Sequence, residues 1–214
     1  MLVSMPAQLP LSCSCGHVRG EAKLVGRELR LACHCADCQA FTHFLDRPDE
    51  LLDAYGATEV VQLPPARIEI TQGAEQLACM RLSPIGLMRW YTSCCDTPVA
   101  NTMTNPGVPF TGLMLAFAGP NVDASTRDQL LGPIRARVNG PARQRDPDAP
   151  PVTVAKFPLG TILRSIQVLA GGWFRNEHTP SPFFDGTTGA PRATPRVLSE
   201  DEREKLRERV LTWA

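Results

Sequence analysis

Three thiols stand close together at Cys33, Cys35 and Cys38, in the pattern C-x-C-x-x-C. A thiolate is a soft donor, and Zn2+ prefers four donors in a tetrahedron. Three cysteines packed into one tight turn can converge on a single cation and leave its fourth position open. An open position is what separates catalytic zinc sites from structural ones. A redox pair of Cys35 and Cys38 is the competing chemistry. The additional Cys33 favours the metal, because a C-x-x-C redox pair has no need of it.

Two further thiol clusters flank this one. Cys13 and Cys15 precede Gly16, which can take a positive φ and let the chain turn tightly beside a metal. Cys94 and Cys95 precede Asp96-Thr97-Pro98. Neighbouring residues of a strand point to opposite faces, so Cys94 and Cys95 reach one cation only across a sharp turn. Otherwise Cys94 is a small buried hydrophobe, a common fate of free cysteine. Cys79 lies in a strand-like run and reads as a core thiol. His34 is expected to point away from the metal and to support it from behind or face solvent. His43 lines a pocket or is structural, and Asp37 is a hydrogen-bond acceptor near the metal or a solvated carboxylate.

These residues need a scaffold, and the composition suits one. The 214 residues carry 22 basic and 22 acidic side chains, so a broad basic field for nucleic acid or anionic lipid is not indicated. Residues 1–11 lack a basic n-region, and no apolar run reaches the ~18 residues a membrane span needs. Eight cysteines without an export signal point to metal or catalytic use rather than disulfides. A cytoplasmic protein with reduced thiols is expected.

Residues 17–24 alternate enough to be a strand, and 27–31 reads as its hairpin partner, placing the first two thiol clusters at one end. Residues 41–45 form an apolar run, and 49–55 a helical turn. Strand-like runs follow at 58–63, 67–72, 76–82 and 86–92, with Pro- and Gly-bearing turns between the first three. Short turns between successive strands argue for antiparallel sheets. Residues 99–118 mix strand and loop. The texture then turns helical, with one helix over 123–138 whose Leu130, Leu131, Ile134 and Val138 share a face, closed by Asn139-Gly140. Residues 141–151 are a proline-rich loop or linker. A longer apolar helix covers 159–174, loop covers 179–195, and Ser199 with Glu202 forms a capping box that opens a helix over 200–213. Trp90 and Tyr91 read as core aromatics, and Trp173, Phe174, Phe183 and Phe184 as an apolar seam packing the C-terminal part on the sheet, with the lining of a pocket or a dimer contact as the alternative. The expected organisation is a mainly β domain at 1–120 and an α-helical C-terminal extension at 121–214, α+β overall.

Taken in order, C-x-C-G at 13–16, C-H-C-x-x-C at 33–38 and the C-D-T-P end at 95–98 resemble the glutathione-dependent formaldehyde-activating enzyme family, which includes centromere protein V. The resemblance covers about residues 10–118. It implies a β-tent fold of antiparallel strands and two zinc sites. Cys13, Cys15 and Cys95 would be structural ligands, and Cys33, Cys35 and Cys38 would hold an exchangeable metal. The chain departs from the pattern where the family's first late cysteine falls on Thr92 and its glycine on Asp96, with Cys94 present instead. The fourth structural ligand is then Cys94, Asp96 or His17, or that zinc has been lost.

One or two Zn2+ per chain are expected. A zinc-held thiolate attacks an aldehyde carbon or leaves its adduct, so the implied activity is that of a carbon–sulfur lyase on glutathione or another small thiol. The alternative is a non-catalytic, zinc-stabilised scaffold. Arg47, Arg81 and Arg89 are candidates for a carboxylate clamp by charge alone.

Overall fold

The computed structural model describes residues 7–140 and 157–213. Among them, eleven strands form two sheets, and five α-helices flank these, so the protein is mainly β with helices in its C-terminal part, as expected.

The smaller sheet joins β1 (Ala7–Ser12), β2 (Arg19–Leu24) and β5 (Ile68–Gln72), in the order β1-β2-β5, all antiparallel. Alternation fixes its inner face: Leu9 and Leu11 of β1 and Ala22 and Leu24 of β2 are buried. The larger sheet has eight strands. They are β3 (Leu29–Cys33), β4 (Thr58–Leu63), β6 (Leu77–Arg81), β7 (Met88–Thr92), β8 (Pro98–Thr102), β9 (Thr111–Met114), β10 (Ala136–Val138) and β11 (Arg196–Val197). Their order is β10-β3-β4-β9-β8-β7-β6-β11, antiparallel except where β10 joins β3 and β11 joins β6 at the edges. The helices are α1 (Ala36–Phe44), α2 (Pro48–Leu51), α3 (Ala124–Leu131), α4 (Leu159–Phe174) and α5 (Glu200–Thr212).

Two apolar layers result. The first lies between the sheets, with Leu9, Leu11, Val61, Leu113 and Trp90 at its heart. Trp90 is fully buried, its ring 5.2 Å from that of Phe183, and its Nε1 donates to Thr102 Oγ1 at 2.9 Å. The second layer packs Phe41 and Leu45 beside α1 against Met80, Leu82, Leu198 and Leu206. It brings α5 onto α1, where Arg209 donates to the His43 carbonyl at 3.1 Å and the His43 and Trp213 rings meet at 5.9 Å. The capping box that starts α5 is formed as expected, with Ser199 Oγ accepting from Glu202 N and Ser199 N donating to the Glu202 carboxylate.

Three expectations are corrected. Residues 27–31 do not pair with 17–24: β2 takes β1 as its hairpin partner, and β3 enters the other sheet. The reason is burial, since β3 is buried along its whole length and suits an interior position between β4 and β10. The helix expected over 123–138 ends at Leu131. Gly132 adopts φ +71° and Pro133 cannot continue the helix, so Val138 is instead buried in β10. The proposed apolar seam divides, with Phe183 and Phe184 in the core but Trp173 and Phe174 58% and 90% exposed. The linker read at 141–151 lies outside the described residues.

Candidate metal centre

The fold gathers seven of the eight cysteines into two groups. In the first, Cys13, Cys15, Cys94 and Cys95 place their sulfurs within 4.8 Å of one another. Cys13 follows β1 and opens a tight turn in which Gly16 N donates to the Cys13 carbonyl at 2.9 Å and Gly16 takes φ +76°. Val18 N donates to Cys13 Sγ at 3.2 Å, fixing that sulfur. The partner turn leaves β7 at Thr92. Asp96 itself supplies the left-handed residue, at φ +51°, and its N–H donates to the Thr92 carbonyl at 2.9 Å.

This turn answers how adjacent cysteines share one centre. Cys94 Sγ lies 3.4 Å from Cys15 Sγ, 3.9 Å from Cys13 Sγ and 3.8 Å from Cys95 Sγ, and Cys13 and Cys15 are 3.5 Å apart. Four sulfurs each ~2.3 Å from a tetrahedral zinc stand roughly 3.8 Å from one another, so the spacing matches a closed four-thiolate site. His17 does not complete the group. Its Nδ1 lies 3.1 Å from Cys15 Sγ and, behind the backbone of the same residue, helps hold that thiol below its ordinary range. Asp96 also stays outside the four.

The electrostatics of the four are uneven. Burial pushes Cys13 up, and burial with a hydrogen bond to Cys15 pushes Cys94 up to about 12. Burial also acts on Cys95, but hydrogen bonds with Ser14, Thr92 and Thr97 outweigh it and hold the thiol down at about 4. Thr92 Oγ1 is 3.4 Å and Thr97 Oγ1 3.3 Å from Cys95 Sγ. Thr92, which carries no thiol of its own, is thus a hydrogen-bond partner of a sulfur.

In the second group, Cys33, Cys35 and Cys38 also lie within 4.8 Å of one another, with no further His, Cys, Asp or Glu among the described residues joining them. Cys33 ends β3, paired with Thr58 of β4. Cys35 caps α1, its sulfur accepting from Cys38 N at 3.3 Å, and Cys38 sits buried in the first turn. Hydrogen bonds from Cys33 and Cys35, with the Arg89 charge and Thr58 adding, hold the Cys38 thiol well below its ordinary range. Cys35 is pushed up by its two sulfur neighbours and by burial. Cys33 is lowered by Cys35, but Cys38 and burial outweigh this and raise it to about 11. The three thiols thus oppose one another's ionisation, and a divalent cation among them would favour the thiolate forms.

His34 turns away from this group, as expected: it is buried, with Nε2 3.4 Å from Arg137 Nη1. Asp37 is largely exposed, 3.6 Å from Arg89 Nη2. A cleft of about 890 Å3 opens beside the group, between its flanking residues His34, Asp37 and Asn139 and the α5 side chains Arg203 and Arg207. Asn139 Nδ2 also lies 3.8 Å from Cys33 Sγ. Sequence reasoning misses Asn139, because it sits in an expected helix cap, and misses the hydroxyls of Ser14, Thr92 and Thr97. The Thr97-Pro98 step was the visible signal for the last of these. Cys79 is buried in β6 and belongs to neither group.

The three arginines considered for a clamp are engaged structurally. Arg47 donates to the Cys95 carbonyl at 3.0 Å and pairs with Glu50. Arg81 donates to the Pro84 and Gly86 carbonyls. Arg89 is buried against Asn101 and the Phe41 ring. All eight cysteines are free thiols. Among the described residues, no helix is long and apolar enough to cross a membrane.

A family described only as a family of unknown function (DUF6151) matches residues 5–194. No curated protein matches the chain. A solved structure of a Rhodobacter sphaeroides protein aligns over 59% of this chain and 97% of its own, at 19% identity and a TM-score of 0.41. The chain belongs to the DUF6151 family.

Proposed function

We propose, from membership in a family with no assigned activity and from the geometry of its cysteines, that this protein binds two zinc ions and handles a small thiol at the second. The single observation that carries the reading is the three-thiol group at Cys33, Cys35 and Cys38, which has no fourth thiol and stands beside a cleft. The four-thiol group has the donor set of a closed structural site. When bound at three thiols, zinc supplies a positive centre that keeps an added thiol ionised at neutral pH.

The chain's own residues divide the remaining work. Cys33, Cys35 and Cys38 hold the ion, and three thiolates around a divalent cation leave one net negative charge. Arg89, buried and close enough to lower Cys38, offsets that charge. The strand pairing of Cys33 with Thr58 and the first turn of α1 position the sulfurs. Asn139 places an amide beside Cys33, on the cleft side. Asp37 offers an exposed carboxylate at the rim, 3.6 Å from Arg89 Nη2.

The resemblance to the glutathione-dependent formaldehyde-activating enzymes supplies the substrate class in this reading: a small thiol such as glutathione and its aldehyde adduct, joined or parted at a carbon–sulfur bond. Cobalt(II) substitution tests it. A saturable change in the visible cobalt spectrum on adding glutathione, together with turnover of its hydroxymethyl adduct, supports the reading. An unchanged spectrum and no turnover leave the zinc-stabilised scaffold. That second reading rests on the burial of Cys33 and Cys38, neither of which lines the cleft.

A further inference from the structure

A second concavity lies away from both thiol groups. β3 and β4 pair Cys33 with Thr58 at one end and Leu29 with Gln62 at the other. Four residues of strand, roughly 13 Å, therefore separate the three-thiol group from the end where Gln62, Arg27 and Glu28 meet α4. The pocket there has a volume of about 560 Å3, within the ordinary range for small-ligand sites.

Its charge is one-sided. Arg27, Arg67, Arg164 and Arg175 line it, with Glu28 as the sole carboxylate among the lining residues. Glu28 is already used, 3.2 Å from Arg67 Nη1. Glu177, just outside, takes both remaining nitrogens of Arg67 at 2.9–3.2 Å and Arg175 Nε at 3.2 Å. Arg27 and Arg164 have no carboxylate partner among the described residues. Among the described residues, Arg164 donates to the Gly26 carbonyl at 3.3 Å. The chain as a whole carries no net charge, so this surplus is local. Gly171 makes room for it, since a Cβ there would stand 2.8 Å from Arg175 Nη2.

The other wall is apolar. Val168 and Ala170 of α4 form its side, and Phe174, 90% exposed, stands at its mouth. Guanidinium forks match carboxylate and phosphate oxygens two at a time, and an exposed ring beside them offers a face to a flat apolar group. We propose that this pocket binds a small organic anion, a carboxylate or phosphate joined to an apolar, planar body.

Calorimetric titration of the full metal-loaded chain, in a buffer free of both anions, tests this. Phenyl phosphate and benzoate are the two probes, with inorganic phosphate and formate as their respective head groups and benzyl alcohol as the shared ring. At least one probe is expected to bind saturably and at least about tenfold tighter than its head group or the ring alone, and the tighter probe names the head group. Arg27→Ala and Arg164→Ala should each weaken it about tenfold or more while metal content and melting temperature hold. Phe174→Ala should weaken the aromatic probe and leave inorganic phosphate unchanged. Absence of saturable binding by both probes overturns the proposal. So does binding that survives unchanged in the folded Arg27→Ala/Arg164→Ala double variant.

Discussion

Cys15 Sγ lies 3.4 Å from Cys94 Sγ, although 79 positions separate them in the chain. The two belong to different sheets' turns, one after β1 and one after β7, and no disulfide joins them. Four thiols crowded in this way repel one another as they ionise, so an ion at their centre is the partner that makes the approach favourable.

Loss of Cys94 should therefore cost as much as loss of Cys13. Each Cys→Ser variant is expected to lose about one zinc per chain and to melt several degrees lower, since structural zinc contributes on the order of 10 kcal/mol in small zinc peptides. Moving the thiol in a Thr92→Cys/Cys94→Ala double variant should recover most of the loss, because Thr92 Oγ1 already stands 3.4 Å from Cys95 Sγ. Metal analysis and calorimetry check all three. A Cys94→Ser protein with full zinc and an unchanged melting temperature would remove Cys94 from the site.

Cys38→Ser should also remove about one zinc per chain but lower the melting temperature less than Cys13→Ser. The three-thiol group closes one strand–helix turn, whereas the four-thiol group ties together two turns distant in sequence. Comparison of the two melting curves, with metal counted on the same samples, decides the point.

Much of this scaffold is legible in the residues. β4 occupies 58–63 as its strand-like run and the Pro64-Pro65 turn after it indicate, and Ser199 with Glu202 marks the start of α5. α1 is not legible in that way. Its cap is the sulfur of Cys35, which is outside the usual capping residues, and its apolar pair Phe41 and Leu45 reads equally well as a short buried run. The three-residue β10 is hidden for another reason: parallel pairing with β3, more than a hundred positions earlier, leaves no local trace. The thiol groups themselves are visible as clusters, but whether Cys94 reaches the centre depends on Asp96 adopting a positive φ, a tertiary outcome.

Gly140→Ala should disturb the second site from outside. A Cβ there would stand 2.6 Å from the His34 carbonyl oxygen, while His34 N is held by the Val138 carbonyl at 2.9 Å. The expected cost is about 1–3 kcal/mol, the usual range for overpacking. Zinc affinity at the three-thiol group should fall, with the four-thiol group unaffected. Competition with a metallochromic chelator reads both sites, and equal affinities in variant and parent would show that β10 does not position Cys33.

Glu177 gives a pH-dependent outcome. Burial raises its carboxyl, but Arg67 and Arg175 outweigh this and hold it below its ordinary 4.5. The ionised form is the one the fold favours, so its contribution is complete above pH 4.5 and is lost as pH falls through the depressed value. Glu177→Gln leaves Arg67 buried with a weaker partner and should cost about 1–3 kcal/mol at pH 7. The difference from the parent should shrink as pH drops below 4.5. Denaturant unfolding at several pH values checks this, and a gap that widens in acid would reverse the assignment.

The most direct test is X-ray absorption at the zinc edge on protein purified without added metal, with stoichiometry measured on the same sample. Two zinc ions per chain are expected, with a mean of three and a half sulfurs each, the average of the four-thiol and three-thiol groups. A metal-free protein, or zinc ligated chiefly by nitrogen and oxygen, would contradict the account.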